Sequence, residues 1–242
     1  LNKSGEVLRI PQKQEGLFRV RFPVPAGDLS ASLVAGLNKI AERYGRGEFR
    51  CTGRHELEIP FIAENHVQAV SSALDRLGMK TVREGRHPNV VACPGADHCT
   101  AAYARTKNLY FEIESLLLKT ETTRTLPPDF QVAVSGCPNE CSQVLINDIG
   151  FIGAIGSYQG QKAQGFEMVV GGSIRGEGQL ATRIAFVSSE DVVPTLRDVI
   201  EIYYQQAVEG TPFHDFFFFK GPEAFSMLLL QQLKQRMSFF QI

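Results

Sequence analysis

With 242 residues, 43% of them apolar, the chain can bury the core of one large domain or two modest ones. Its 25 basic and 26 acidic side chains nearly cancel, which excludes a global attraction to nucleic acid or an anionic membrane and leaves any anion binding local. No apolar run approaches the roughly 20 residues of a membrane span, and the opening LNKSGEVLRIPQKQEG is too polar for a signal peptide, so the cytoplasm is the expected compartment.

The stretch LFRVRFPV reads as a strand. In DLSASLVAGLNKIAERYG, the residues Leu33, Val34, Leu37, Ile40, Ala41 and Tyr44 share a helical face, with Asp28 as the expected N-cap and Gly45 as the terminator. EFRCT and HELEIPF follow as two short strands around a turn at Gly53. A second helix, NHVQAVSSALDRLG, points Val67, Val70, Leu74 and Leu77 inward, and a last short strand is expected near MKTV. The resulting β-α-β-β-α-β order over residues 1–82 is the ferredoxin-like split βαβ arrangement, a statement of topology only.

From residue 83 the chain alternates Cys, Gly and Pro punctuation with strands and long helices. NLYFEIESLLLK reads as a helix; DFQVAVSG, DIGFIGAIG, FEMVVGG and RIAFVSS read as strands; EDVVPTLRDVIEIYYQQAVEG reads as a helix with Glu190 and Asp191 in its first turn. Residues 83–210 are thus expected to form an α/β layer domain, and the whole chain an α+β protein. Residues 211–242 read as an apolar loop and a C-terminal helix, in which Phe216 to Phe219 dock the tail on the core.

Five cysteines are an odd number for disulfide stapling in a chain of this size, and the first residue is Leu, as in a chain that has lost an upstream segment. Cys93 and Cys99 stand six apart in CPGADHC, at a small-residue turn expected to lead into a helix. Cys137 and Cys141 stand four apart in GCPNEC, on one face if that turn continues as a helix. Four thiolates on two strand-to-helix turns suit a 4Fe-4S cubane; structural zinc more often uses tighter knuckles. A cluster, zinc, bridges and uncoordinated thiols all stay open on spacing alone. Cys51, in FRCT, reads as a strand-packing thiol.

CPGADHC, then VSGCPNEC, DIGFIG and VVGG, resembles the sirohaem and 4Fe-4S domain of sulfite and nitrite reductases. Upstream, FRVRFPVPAGDLSASLVAGLNKIAERYGRGEFRCTGRHELEI resembles the same family's ferredoxin-like domain, so the likeness runs over roughly residues 15 to 220. It implies that Cys93, Cys99, Cys137 and Cys141 hold the cluster, that Cys141 also bridges to the sirohaem iron, and that Asn139, Gly171 and Gly172 belong to the cofactor site. It implies further that Arg19, Arg21 and Arg54 bind the haem carboxylates and the substrate oxyanion, with Arg21 and Arg54 catalytic. Arg19 and Arg21, two apart on a strand, point to one face, and guanidinium suits oxyanions. His55 stands where relatives carry Gln, and His98 lies between two implied ligands.

One departure stands out. Members of the family tend to carry a basic run before the second cysteine pair, where this chain has LPPDFQVAVSGC, with Pro128, Asp129 and Gln131 at those places. Lys107 and Lys119 are the remaining cations to consider. Long members contain the whole unit twice and this chain has it once, so a stand-alone small form or a homodimer is expected. With no dinucleotide fingerprint and no second Cys group, electrons are expected from an external donor such as ferredoxin or a partner subunit. The expected activity is six-electron reduction of sulfite to sulfide, or of nitrite to ammonia. The alternatives are a cluster-bearing electron-transfer subunit, a tetrapyrrole-modifying relative resembling precorrin-3B synthase, and a zinc-stabilised binding module.

Overall fold

The computed structural model describes residues 9–79, 89–121, 126–158 and 160–239. By internal packing the chain separates into two units, Leu1–His87 and Pro88–Ile242. Among the described residues no helix is long and apolar enough to cross a membrane.

In the first unit, period-two alternation builds a four-stranded antiparallel sheet. Its strands are β1 (Arg9–Pro11), β2 (Leu17–Pro23), β3 (Arg50–Cys51) and β4 (Glu56–Ala63), in the order β1-β2-β4-β3. Val20 and Phe22 of β2 and Leu57, Ile59 and Ile62 of β4 enter the core. Helices α1 (Ala31–Tyr44) and α2 (Val67–Arg76) cover that core with Leu37, Ile40, Ala41, Val70 and Leu74. This is the ferredoxin-like arrangement, with β4 antiparallel between β2 and β3. The edge beside β2 is taken by the N-terminal strand β1, which the polar opening sequence does not announce. Met79, at the head of the expected MKTV strand, is buried, and residues 80–82 lie outside the described residues.

Three details of this unit differ from expectation. The N-cap of α1 is Ser30, whose hydroxyl accepts the Leu33 N–H at 3.2 Å, because the chain stays extended through Asp28. Val34, expected on the inner face of α1, is exposed. Cys51 is also exposed, β3 being a two-residue edge strand whose residues are both exposed.

The second unit is a mixed five-stranded sheet ordered β5 (Asn89–Ala92), β6 (Gln131–Ser135), β7 (Ile149–Tyr158), β8 (Gln161–Val170), β9 (Thr182–Ser188). β5, β6 and β7 are parallel, and β8 and β9 continue as antiparallel neighbours. α3 (Lys107–Glu121) lies in the crossover from β5 to β6 and packs on β5 and on α4 (Val192–Gln206). The apolar tail is two helices, α5 (Phe213–Lys220) and α6 (Pro222–Phe239), where a loop and one helix were expected. Helical rotation divides the four phenylalanines: Phe216 and Phe217 are buried against Tyr203 and Phe225, while Phe218 and Phe219 are exposed.

Candidate functional site

Parallel pairing brings the two cysteine motifs together. Ala92 of β5 is opposite Val134 of β6, so Cys93 and the Gly136–Cys137 loop leave the sheet at neighbouring carboxyl ends, the end where open α/β sheets bind ligands. The Cys93 N–H donates to the Val134 carbonyl at 3.0 Å. The Gly136 N–H in turn donates to the Cys93 Sγ at 3.1 Å, a contact from one motif's backbone to the other motif's sulfur. The Gly136 carbonyl accepts N–H bonds from Tyr103 at 2.7 Å and Ala104 at 3.2 Å, and Cys99 N–H bonds back to Gly95 at 2.8 Å, so the Cys99 loop is fastened at the same point.

Glycine permits this closeness. A Cβ on Gly136 would come within 2.8 Å of the Ala104 carbonyl and 2.9 Å of the Ala102 methyl, and one on Gly153 in β7 would lie 2.2 Å from the Gly136 carbonyl. The turn after Cys137 does not continue as a helix, contrary to the condition under which Cys137 and Cys141 share a helical face. Glu140 and Gln143 adopt positive φ, which interrupts any helical turn there. Cys137 is consequently buried and Cys141 exposed; Cys93 is buried, Cys99 half-buried, and all are free thiols.

Among the described residues, no three of His, Cys, Asp and Glu gather closely enough to hold a single metal ion. A cubane places one thiolate on each of four irons and spreads its sulfurs more widely than the bonds of about 2.3 Å around one zinc. Two adjoining loops, each with an inner and an outer thiol, and an N–H already directed at a sulfur, fit such a group. Asn139 and His98 are both exposed on these loops.

Gly171 and Gly172 lie elsewhere. They follow β8, whose Val170 is level with Ile149 and, through it, with Val132 at the amino end of β6. A Cβ on Gly171 would meet the Phe217 ring at 2.1 Å, and one on Gly172 the Leu145 carbonyl at 2.4 Å. Their smallness serves internal packing. Asp129 and Gln131 are at this same end: Gln131 opens β6, its N–H bonded to Asp148 Oδ2 at 2.9 Å, and Asp129 pairs with Arg175. With Gly172, Ser173 and His214 they line a cavity of about 30 Å³, room for a water molecule. The length of β6, about 13 Å at 3.3 Å per residue, separates Gln131 from the cysteine end. The non-basic residues at 129 and 131 therefore face a different end of this unit from its thiols. Lys107 opens α3 and Lys119 lies in its last turn.

In the first unit, the arginines occupy the sheet face opposite the helices, together with two glutamates that the sequence reading passed over. Arg21 is opposite Glu58 across the β2–β4 pair. Its Nε and Nη2 donate to Glu58 Oε1 at 2.9 and 2.6 Å, and its Nη1 stands 3.6 Å from Glu56 Oε2. Arg19 Nε approaches Glu58 at 3.4 Å without hydrogen-bond geometry, and Arg50 Nη1 approaches it at 3.7 Å. Thr52 donates to Glu56 at 3.2 Å, and Arg54 acts on Glu56 electrostatically. Glu58 is 2% exposed and Glu56 7%. Burial pushes the Glu56 carboxyl above its usual range, and Glu58 pushes the same way; Arg21, Thr52 and Arg54 pull against them. The signal for both glutamates was present in the alternation of HELEI facing R-V-R. His55, at positive φ, presents its carbonyl to the Val24 N–H at 2.7 Å and lies beside Gly27.

The profile of the nitrite and sulphite reductase 4Fe-4S domain matches residues 84–235, and that of the nitrite/sulfite reductase ferredoxin-like half domain matches residues 10–77. The chloroplastic ferredoxin–nitrite reductase of Arabidopsis thaliana is 33% identical over 178 residues, covering 70% of this chain and 29% of the relative. Sulfite reductase [ferredoxin] 1 of Mycolicibacterium paratuberculosis is 26% identical, covering 83% of this chain and 37% of its own length. The chain thus spans about a third of the length of these relatives. Mycobacterium tuberculosis NirA shares the fold over 90% of this chain and 41% of its own, with a TM-score of 0.75 at 23% identity.

Proposed function

Because the chain belongs to the nitrite and sulphite reductase family, we propose that it serves the six-electron reduction of a small oxyanion, sulfite to sulfide or nitrite to ammonia, fed by an external donor of the ferredoxin kind. The family's cofactors are a 4Fe-4S cluster and sirohaem. The observation that carries the reading is the bond from Gly136 N–H to Cys93 Sγ, which joins the two cysteine motifs.

When bound, the cluster and haem supply one-electron transfer and an iron for the anion. Cys93, Cys99, Cys137 and Cys141 are the proposed thiolate ligands. Cys141 is the proposed bridge to the haem iron, a role its exposure supports, with Asn139 beside it. The Gly136 N–H would offset part of the negative charge of the Cys93 sulfur as a cluster ligand. Arg21, Arg54 and Arg19 are the proposed anion and carboxylate partners, oriented by Glu58 and Glu56. Gly171 and Gly172 carry no proposed cofactor contact. A second copy of the chain is the proposed completion of a unit that occurs here once, measurable by sedimentation of the loaded protein.

Anaerobic purification with iron counting and a visible spectrum tests this. Cluster plus haem gives about five irons per chain and cluster alone about four, and reduced-viologen turnover then compares sulfite with nitrite. A chain with intact cysteines that takes up no iron overturns the proposal. Four irons without turnover supports an electron-transfer subunit instead, a reading favoured by the commitment of Arg21 to Glu58.

A further inference from the structure

The arginine face holds two acidic groups that an anion site would ordinarily exclude. Glu56 and Glu58 lie on the sheet face away from the core helices, yet are almost fully buried, because Arg19, Arg21 and Arg50 lie over them. Arg21 is shared: its Nε and Nη2 bind Glu58 while its Nη1 reaches Glu56. The four guanidinium groups of Arg19, Arg21, Arg50 and Arg54 against two carboxylates leave a surplus of two positive charges, and of three once Glu56 carries a proton.

We propose that Glu58 is a positioning residue that fixes the planes of Arg21 and Arg19, and that Glu56 takes up a proton from solvent when an anion binds to this face, so that the face offers more charge to an oxyanion in its bound state. This deepens the anion-binding role assigned above and rests on it. The two carboxylates differ in their surroundings. Glu58 receives both forks of Arg21 on one oxygen, with Arg19 and Arg50 alongside. Glu56 meets, among the described residues, the more distant Nη1 of Arg21, the Thr52 hydroxyl and the field of Arg54, with Glu58 repelling it from two residues away along β4 and His55 preceding it in the chain.

An oxyanion arriving on the same guanidinium groups competes with Glu56 for them and repels its negative charge; both effects favour the protonated form. Proton uptake removes the repulsion and frees Arg21 Nη1. The burial that already disfavours the Glu56 carboxylate acts in the same direction. Glu58, held by two bonds from Arg21, keeps the arginine planes aligned.

The test uses the full chain, with sulfate as the probe because its charge is constant over the range. Sulfate is titrated by calorimetry at about pH 5.5 and about pH 8, in buffers of different ionisation enthalpy so that proton uptake is read directly. Wild type is expected to bind roughly tenfold more tightly at the lower pH and to take up protons on binding. Glu56→Gln is expected to bind equally at both values with no uptake, and Glu58→Gln to weaken binding at both while keeping the pH dependence. Should Glu58→Gln not fold, Arg21→Lys, which keeps the charge but not the fork, replaces it with the same expectation. Equal pH slopes and equal uptake in wild type and Glu56→Gln overturn the proposal. So does a Glu56 carboxyl that titrates, by isotope-edited NMR, in the usual carboxylate range with or without sulfate. If neither wild type nor Glu56→Gln binds sulfate at either pH, the anion-binding reading itself fails and this inference falls with it.

Discussion

The backbone N–H of Gly136 donates to the Sγ of Cys93 across 43 residues of sequence, at 3.1 Å. It is the shortest statement of how two distant turns become one site, and it makes the inner thiols of the two motifs interdependent. Cys93→Ser and Cys137→Ser are each expected to lower bound iron from about four atoms per chain in the cluster to near none. Cys51→Ser, at an exposed edge position in the other unit, is expected to leave iron and the visible spectrum unchanged. Iron content per chain after anaerobic purification checks both.

Gly153 closes the DIGFIG stretch and is no proposed ligand, yet its place beneath Gly136 makes it necessary. A methyl group there would sit 2.2 Å from the Gly136 carbonyl, a backbone atom that moves only with the whole loop. Gly153→Ala is expected to cost about 1–3 kcal/mol of stability and to reduce iron loading together with it. Gly160→Ala, at a turn with nothing within 4 Å of the added methyl but with positive φ, is expected to cost stability alone. Denaturant titration and iron counting on the two variants separate the effects.

Glu56 gives the first unit a pH-dependent stability of defined sign. Its folded-state carboxyl is held above the ordinary value of 4.5, chiefly by burial, so the folded chain binds more protons there than the unfolded chain does. Stability from this group is complete below the ordinary value and falls as pH rises through the raised one. Glu56→Gln is expected to remove that decline, so the stability of the variant relative to wild type rises with pH across the window. Denaturant midpoints measured from mildly acidic to neutral pH check this, and a parallel shift at all pH values would contradict it.

Tyr203 reports on the second unit. Its hydroxyl donates to the Thr211 carbonyl at 2.5 Å, and its ring packs against Phe213 and Phe216. Burial, with the negative fields of Asp129 and Asp148, raises its phenol above the usual 10.0. Tyr203→Phe is expected to cost about 1 kcal/mol through the lost bond. It is also expected to remove one late-titrating tyrosine from the alkaline absorbance curve. Since the folded chain keeps this proton past the usual value, its stability declines as pH rises through that range, and the variant loses this decline.

Local patterns in the sequence carry most of the elements. Alternation in LFRVRFP, helical spacing from Leu37 to Ala41, and Gly45 at the end of α1 each state a local rule that the packing respects. The cysteine pairs and the arginines stand out in the sequence by residue type and spacing, before any tertiary contact is known. What the sequence left undecided depends on residues that meet across the chain. The edge strand β1 has a polar sequence, and only pairing with β2 makes it a strand. Asp28 looks like a cap, but the chain turns into helix two residues later, at Ser30. Asp129 and Gln131 look like failed substrate contacts, yet the length of β6 carries them to the other end of the sheet from Cys137.

The residue types able to hold a cluster and an anion, and their order along the chain, are properties of the sequence alone, because thiolate and guanidinium chemistry resides in single side chains. Tertiary structure decided which backbone atoms approach which sulfur, through Gly136 and Gly153. It also decided that two glutamates would be buried beneath Arg19, Arg21 and Arg50, since burial and electrostatic coupling arise only when separate strands are laid side by side.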